Sequence, residues 1–151
     1  MAKFKFRLQG ILNMKQKMED QKRQEYGLAV AEEEREKKKR QELLDKKEEK
    51  VVEFRNSIDE IIRSQSHSNY NNYIEFLKEE ATRQDKIILE AQKRVEIKRQ
   101  ELVEAMKERK TLEKLSERQY EEFLLEQKLA EQKIVDEIVS YRFDNKVENE
   151  I

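Results

Sequence analysis

Two long stretches in which apolar residues recur at alternating steps of three and four, separated by one polar interval, restrict this chain to helices that zip against one another. In the second stretch, heptad a positions fall on Ile74, Ala81, Ile88, Val95 and Leu102, and d positions on Leu77, Gln84, Ala91, Lys98 and Ala105, so eight of the ten are apolar. In the first, Leu44, Val51 and Ile58 repeat at seven, with Phe54 and Ile61 between them and Lys47 as the exception. The interval runs Arg63-Ser64-Gln65-Ser66-His67-Ser68-Asn69-Tyr70-Asn71-Asn72. No proline, two glycines, 44% charged and 36% hydrophobic residues across 151 positions leave too little apolar material for a compact core, but enough for a narrow seam. Regular spacing argues against a disordered chain of the same charge. The expected fold is all-α, a long antiparallel two-helix coiled-coil hairpin forming one domain. Its expected bounds are helix one at about 3–63, a turn at about 64–72, helix two at about 73–143 and a tail at 144–151.

A reversal near His67 would make facing residue numbers add to about 135. It would pair Ile61 with Ile74, Ile58 with Leu77, Phe54 with Ala81 and Leu44 with Ala91, two of these layers setting a large side chain against alanine. Further out, Leu12 would meet Phe123 and Ile11 would meet Leu124, after the apolar stripe slips by one position as in a stutter. Between lies Glu32-Glu33-Glu34-Arg35-Glu36-Lys37-Lys38-Lys39-Arg40, a weakly packed shaft with a solvated face of (i, i+4) charge pairs. Residues 1–24 carry seven Lys or Arg against two acids, and residues 119–151 nine acids against four bases, so folding back would lay opposite charges side by side. Met1 would then face Ile134, and residues 135–151 would overhang by about 25 Å. Val135, Ile138, Val139, Tyr141 and Phe143 make that overhang a candidate binding surface.

Several chemistries lack their residues. Gly10 and Gly27 are isolated in helical pattern, so no phosphate-cradling loop is expected. His67 is the single histidine and there is no cysteine, which leaves no sequence basis for a metal site or a disulfide; a polar turn residue is the expected role of His67. Carboxylates abound, yet without a dehydrated pocket none can be tuned for acid or base work, and neither catalysis nor a cofactor is expected. Lys3, Lys5, Arg7, Lys15 and Lys17 interleave with Phe4 and Phe6, but the net charge of −1 and the acidic carboxy-terminal stretch argue against nucleic acid, and the two Phe residues are expected as core at the start of helix one. No apolar run is long enough for a secretory signal or a membrane span, so no direct membrane insertion is expected and the expected location is cytosolic.

Phe4-x-Phe6-x-Leu8, Asn72-Tyr73-Ile74-x-Phe76-Leu77, Leu115-x-x-Arg118-Gln119 and Glu131-Gln132-Lys133-x-x-Asp136-Glu137 together resemble the flagellar export protein FliJ family over essentially the whole chain. The resemblance implies an antiparallel coiled coil similar to the central stalk of rotary ATP synthases. It would insert its paired termini into the hexameric ring of the flagellar type III export ATPase, promote ring assembly and hydrolysis, contact the membrane export gate and bind export chaperones. The implied location is cytoplasmic, peripherally associated with the cell membrane at the flagellar base.

For the ATPase ring, the expected contacts are Gln127, Lys133, Asp136 and Glu137 as polar or charged groups, with Ile134, Ile138 and Tyr141 as apolar anchors. For the export gate, motif position carries the family surface onto Phe54, Phe76 and Tyr73; Phe54 is also a seam residue, whereas Phe76 falls beside the seam. Glu80 and Arg83 are charged where the family can be apolar. Three other readings stay open: the equivalent stalk of a virulence-type secretion system, a free coiled-coil chaperone or spacer, and an RNA-binding helical hairpin.

Overall fold

The computed structural model describes residues 2–57 and 64–149. Its two helices are α1, Gln9–Asn56, and α2, Ser64–Asn149, of 48 and 86 residues, and there is no strand among the described residues. The chain divides into two compact units, one of Glu19–Ala105 and one of Met1–Met18 with Met106–Ile151. In each unit the helices run antiparallel, as an all-α two-helix coiled coil requires.

The helix bounds differ from those expected. Residues 64–72, anticipated as the turn, belong to α2. Ser, Asn and His are moderate helix formers, and no Gly or Pro stands in the interval to stop a helix. Their polarity marks a solvated face: residues 67–69 and 71–73 are exposed, while Tyr70 turns inward and is followed by Ile74 and Leu77 at seam spacing. α1 ends earlier than anticipated, at Asn56. There the Ser57 amide donates to the Glu53 carbonyl at 3.1 Å and the Ser57 hydroxyl to the same oxygen at 2.8 Å, satisfying an acceptor that the ending helix leaves free. Ile58 and Ile61 lie outside the described residues. At the other end α2 continues through the anticipated tail to Asn149.

In the unit of Glu19–Ala105, all ten heptad positions assigned to the second stretch face the partner helix: Leu77, Gln84, Ile88 and Ala91 are buried and the other six half-buried. The α1 side of this seam is mostly charged. Glu19 is buried at 4% exposure, and Lys22, Glu33, Glu36, Arg40, Lys47 and Lys50 are half-buried beside Tyr26, Ala29, Leu43, Leu44, Val51 and Phe54. Cations and acids alternate across it. Lys22 Nζ lies 3.1 Å from Glu101 and 3.3 Å from Glu25, while Lys98 Nζ lies 3.1 Å from Glu25 and 3.3 Å from Glu101, closing a square of four alternating charges. Hydrogen bonding from Lys98 first and Lys22 second holds Glu25 below the usual carboxylate range, and Lys22 first and Lys98 second do the same for Glu101. The same bonds raise both lysines. Arg94 reaches Glu32 at 3.1 Å, Arg40 pairs with Asp85, and Gln84 Nε2 donates to the Glu36 carbonyl at 3.0 Å and to its carboxylate.

These partners' numbers add to about 124, not 135. The anticipated pairings of Phe54 with Ala81 and Leu44 with Ala91 are therefore displaced by about three helical turns; Phe54 stacks on Tyr70 instead. A heptad seam alone tolerates pairings shifted by whole turns. Here the charged α1 face selects among them, and the shaft anticipated as poorly packed carries the polar contacts that do so.

The unit of Met1–Met18 with Met106–Ile151 has the same register. Lys15 Nζ meets Glu108 at 2.7 Å, and the Phe4 ring packs on Tyr120 and Phe123 with centroids 5.2 and 5.5 Å apart. Leu12 is buried but does not meet Phe123, and Ile11 is exposed, as is Leu124. The Phe4 and Phe6 side chains do serve as core, yet not from a helix: residues 2–6 have no helical structure and 7–8 form a turn leading into α1. The Gln9 amide donates to the Phe6 carbonyl at 3.1 Å, tying this segment to the helix start. Along this strap Phe4, Phe6 and Leu8 turn inward while Lys3, Lys5 and Arg7 are exposed, a period-two alternation of burial.

Candidate interaction surfaces

The register determines where α2 loses its partner. Among the described side chains of α2, Gln127 is the last that is half-buried, and residues 128–146 are all exposed. The overhang thus begins about one turn past Phe123, well before the anticipated residue 135. From 128 to 149 it is roughly 33 Å of helix.

Apolar side chains on this extension form two stripes. Gln127, Ile134 and Tyr141 are spaced by seven with Glu131 and Ile138 between them, which continues the inward-facing stripe of the paired region into solvent. Tyr141 is 71% exposed. A second stripe, Leu125, Leu129, Val139 and Phe143, lies on another face and shows no periodic signal in the paired region. Of the residues expected to contact an ATPase ring, Gln127, Ile134, Ile138 and Tyr141 share the first stripe, and Glu137 flanks it. Lys133 and Asp136 are exposed on other faces of the same helix. Ile138 and Tyr141 line one shallow groove with Glu137, Arg142, Asn145 and Lys146.

The residues expected at an export gate lie in the other unit and do not form one surface. Phe54 is half-buried, its ring stacked on Tyr70 and 5.9 Å from His67. Tyr73 is 38% exposed with Lys50 Nζ 5.7 Å from its ring centre, a cation–π contact, and it lines a cleft with Phe54, Tyr70, Lys50, Glu53, Ser57 and Asn69. Phe76 is 53% exposed and stands outside that cleft. His67 bonds Asn71 at 3.2 Å as a helix-surface residue.

Among the described residues the expected neutralisation of residues 1–24 by residues 119–151 is not seen. With facing numbers near 124, the basic segment lies against residues near 100–122, and the acids of 126–148 lie beyond it. Among the described residues Lys3, Lys5 and Arg7 carry no ion pair. The sequence signal for these cations, Lys-Phe-Lys-Phe-Arg-Leu, was a strand-like alternation at the start of a helical chain.

Among the described residues, no group of three or more His, Cys, Asp and Glu is placed to hold a metal ion, and no helix is long and apolar enough to cross a membrane. The surfaces on offer are those of an all-α, two-helix protein that carries an unpaired apolar helix. A family described as "Flagellar FliJ protein" matches residues 4–148. A Flagellar FliJ protein of Bacillus subtilis (strain 168) is 29% identical over 146 residues, covering 93% of this chain and 95% of that protein. The chain belongs to the FliJ family of flagellar proteins. No solved structure matches it.

Proposed function

We propose that this chain is the non-catalytic central stalk and activator of the flagellar type III export ATPase, with the α2 extension from Gln127 onward entering the ATPase hexamer. The observation that carries this reading is the stripe of Ile134, Ile138 and Tyr141, which keeps the heptad spacing of a packed seam beyond the end of its partner helix. An isolated helix gains nothing from such a stripe in water, whereas a partner that covers it gains the burial of several large side chains. The second stripe through Leu125, Leu129, Val139 and Phe143 suits a site that meets the helix on more than one side, as a ring interior does. Lys133, Asp136 and Glu137 would fix its rotational setting through charge.

Tyr73 and Phe76 are the exposed aromatics for contact with the export gate, and Phe54 supports Tyr70 beside them from within the seam. Export chaperones are further partners, and the site of action is the cytoplasmic face of the membrane at the flagellar base. The test is ATP hydrolysis by the export ATPase of the same organism, titrated with the full chain and with a chain lacking residues 128–151. Stimulation by the first and not by the second is the expected result. No stimulation by the folded full chain would favour a free coiled-coil chaperone or spacer.

A further inference from the structure

The strap of residues 2–8 lies where α2 leaves its paired region. Its three inward side chains are occupied: Phe6 is buried, Leu8 half-buried, and Phe4 packs on Tyr120 and Phe123. Its three outward side chains, Lys3, Lys5 and Arg7, are exposed and unpaired among the described residues. Lys3 and Lys5 alternate with Phe4 and Phe6 along the non-helical segment, and Arg7 stands in the turn that follows it, so the three cations lie close together on the exposed side of the strap. On the paired face, by contrast, Lys15 meets Glu108 and Lys22 meets Glu101. This row instead faces outward next to the root of the extension.

We propose that Lys3, Lys5 and Arg7 form a cationic collar that docks on an acidic rim of the protein receiving the α2 extension. The inference rests on the reading of that extension as an inserted stalk, and adds a second contact and its chemistry. Whatever surrounds residues 128–146 borders the strap, so the two contacts are continuous. A partner acid there meets cations already aligned and held by three anchored side chains, with little ordering left to do on binding. An anionic bilayer fits less well. The residues that could insert, Phe4 and Phe6, point the other way, and exposed Glu121, Glu122 and Glu126 on the adjoining turns of α2 would face the same lipid charge.

The experiment measures binding of the export ATPase to the full chain and its variants at low and at high salt. K3E/K5E/R7E should bind roughly tenfold more weakly at low salt, with a flatter salt dependence, because three contacts reverse sign. Its thermal melt should match the parent, since the altered side chains are exposed. A variant with the same change of net charge at exposed Lys38, Lys46 and Lys93 should bind as the parent does. Parent-like affinity and salt slope in K3E/K5E/R7E would overturn the collar while leaving the stalk reading intact. Absence of ATPase binding by the parent, or undiminished binding by I134D/I138D, would instead overturn the stalk reading. Capture of the parent but not K3E/K5E/R7E by phosphatidylserine vesicles, with ATPase affinity unchanged, would reassign the row to a membrane surface.

Discussion

Tyr70 of α2 lies face to face with Phe54 of α1, the ring centroids 3.8 Å apart and the planes 18° from parallel. The stack holds the Ser/Asn-rich start of α2 against the last turns of α1, beside the half-buried Val51 and Ile74.

Phe54→Ala should therefore destabilise the unit of Glu19–Ala105 by about 1–3 kcal/mol, the lost burial of half a ring plus the stacking preference. Tyr70→Ala should cost a similar amount. Phe76→Ala, at a position 53% exposed, should stay within about 0.5 kcal/mol. Circular dichroism melts of the three variants measure the ranking. A Phe76 variant as unstable as the Phe54 variant would mean that Phe76 packs against the chain itself.

The α2 seam was legible because its heptads are apolar at nearly every position from Ile74 to Leu102, and all ten assigned positions proved to face inward. Register was not legible, for a physical reason. The α1 seam interleaves Lys22, Glu33, Glu36, Arg40, Lys47 and Lys50 with a few apolar residues, which gives apolar matching too little to count. Reading Ser64 to Asn72 as a turn then shifted every pairing together, including the start of the overhang. Ile138 and Tyr141 survived that error because they lie beyond either estimate of where pairing ends, and Ile134 stands at the edge of the expected one, opposite Met1. Leu125 and Leu129 did not, since the wrong register covered them. The strap was missed because Phe4, Phe6 and Leu8 suit a helix start and a short extended segment equally well.

The absence of native cysteine makes register directly measurable. Ala29 and Val95 are both half-buried seam residues whose numbers match the observed register. Oxidation of A29C/V95C should close an intramolecular disulfide far more readily than a pair out of register, since a disulfide needs its two Cα atoms within about 7 Å. L44C/A91C, the pairing of the displaced register, should remain reduced under the same conditions. Gel mobility with and without reductant reads both, and the reverse pattern would discredit the observed pairing.

Acid should loosen the charge square. Lys98 and Lys22 hydrogen-bond Glu25 and Glu101 and hold both below the ordinary glutamate value of 4.5. The unfolded chain thus takes up protons before the folded one, so this stabilisation is present above that value and is lost as pH falls through the lower folded values. Lys22 and Lys98 are raised above 10.5, so their share is present below it and is lost as pH rises through the folded values. Melting temperature followed against pH should decline on both sides of a plateau. In E25Q/E101Q the acidic decline should be shallower, because the two groups that titrate there are gone. An acid limb identical to the parent's would show that other carboxylates control it.

Gln84 is the polar residue whose replacement separates stability from specificity. It is buried between Leu77, Ala81, Ile88 and Ala91 along its own helix, and its amide donates to the carbonyl and carboxylate of Glu36, the first cause of that carboxyl's lowered pKa. Leucine would extend the apolar run and remove the donor, while Glu36 keeps Lys39 at 3.0 Å. A buried polar group in a coiled coil typically costs stability and fixes register, so Q84L should melt at or slightly above the parent temperature, within about 1 kcal/mol of it. The register should then become less exclusive. In the Q84L background, L44C/A91C should begin to cross-link at the expense of A29C/V95C. A clear fall in melting temperature, with cross-linking still confined to A29C/V95C, would make Gln84 a contributor to stability and leave register to the charged pairs alone.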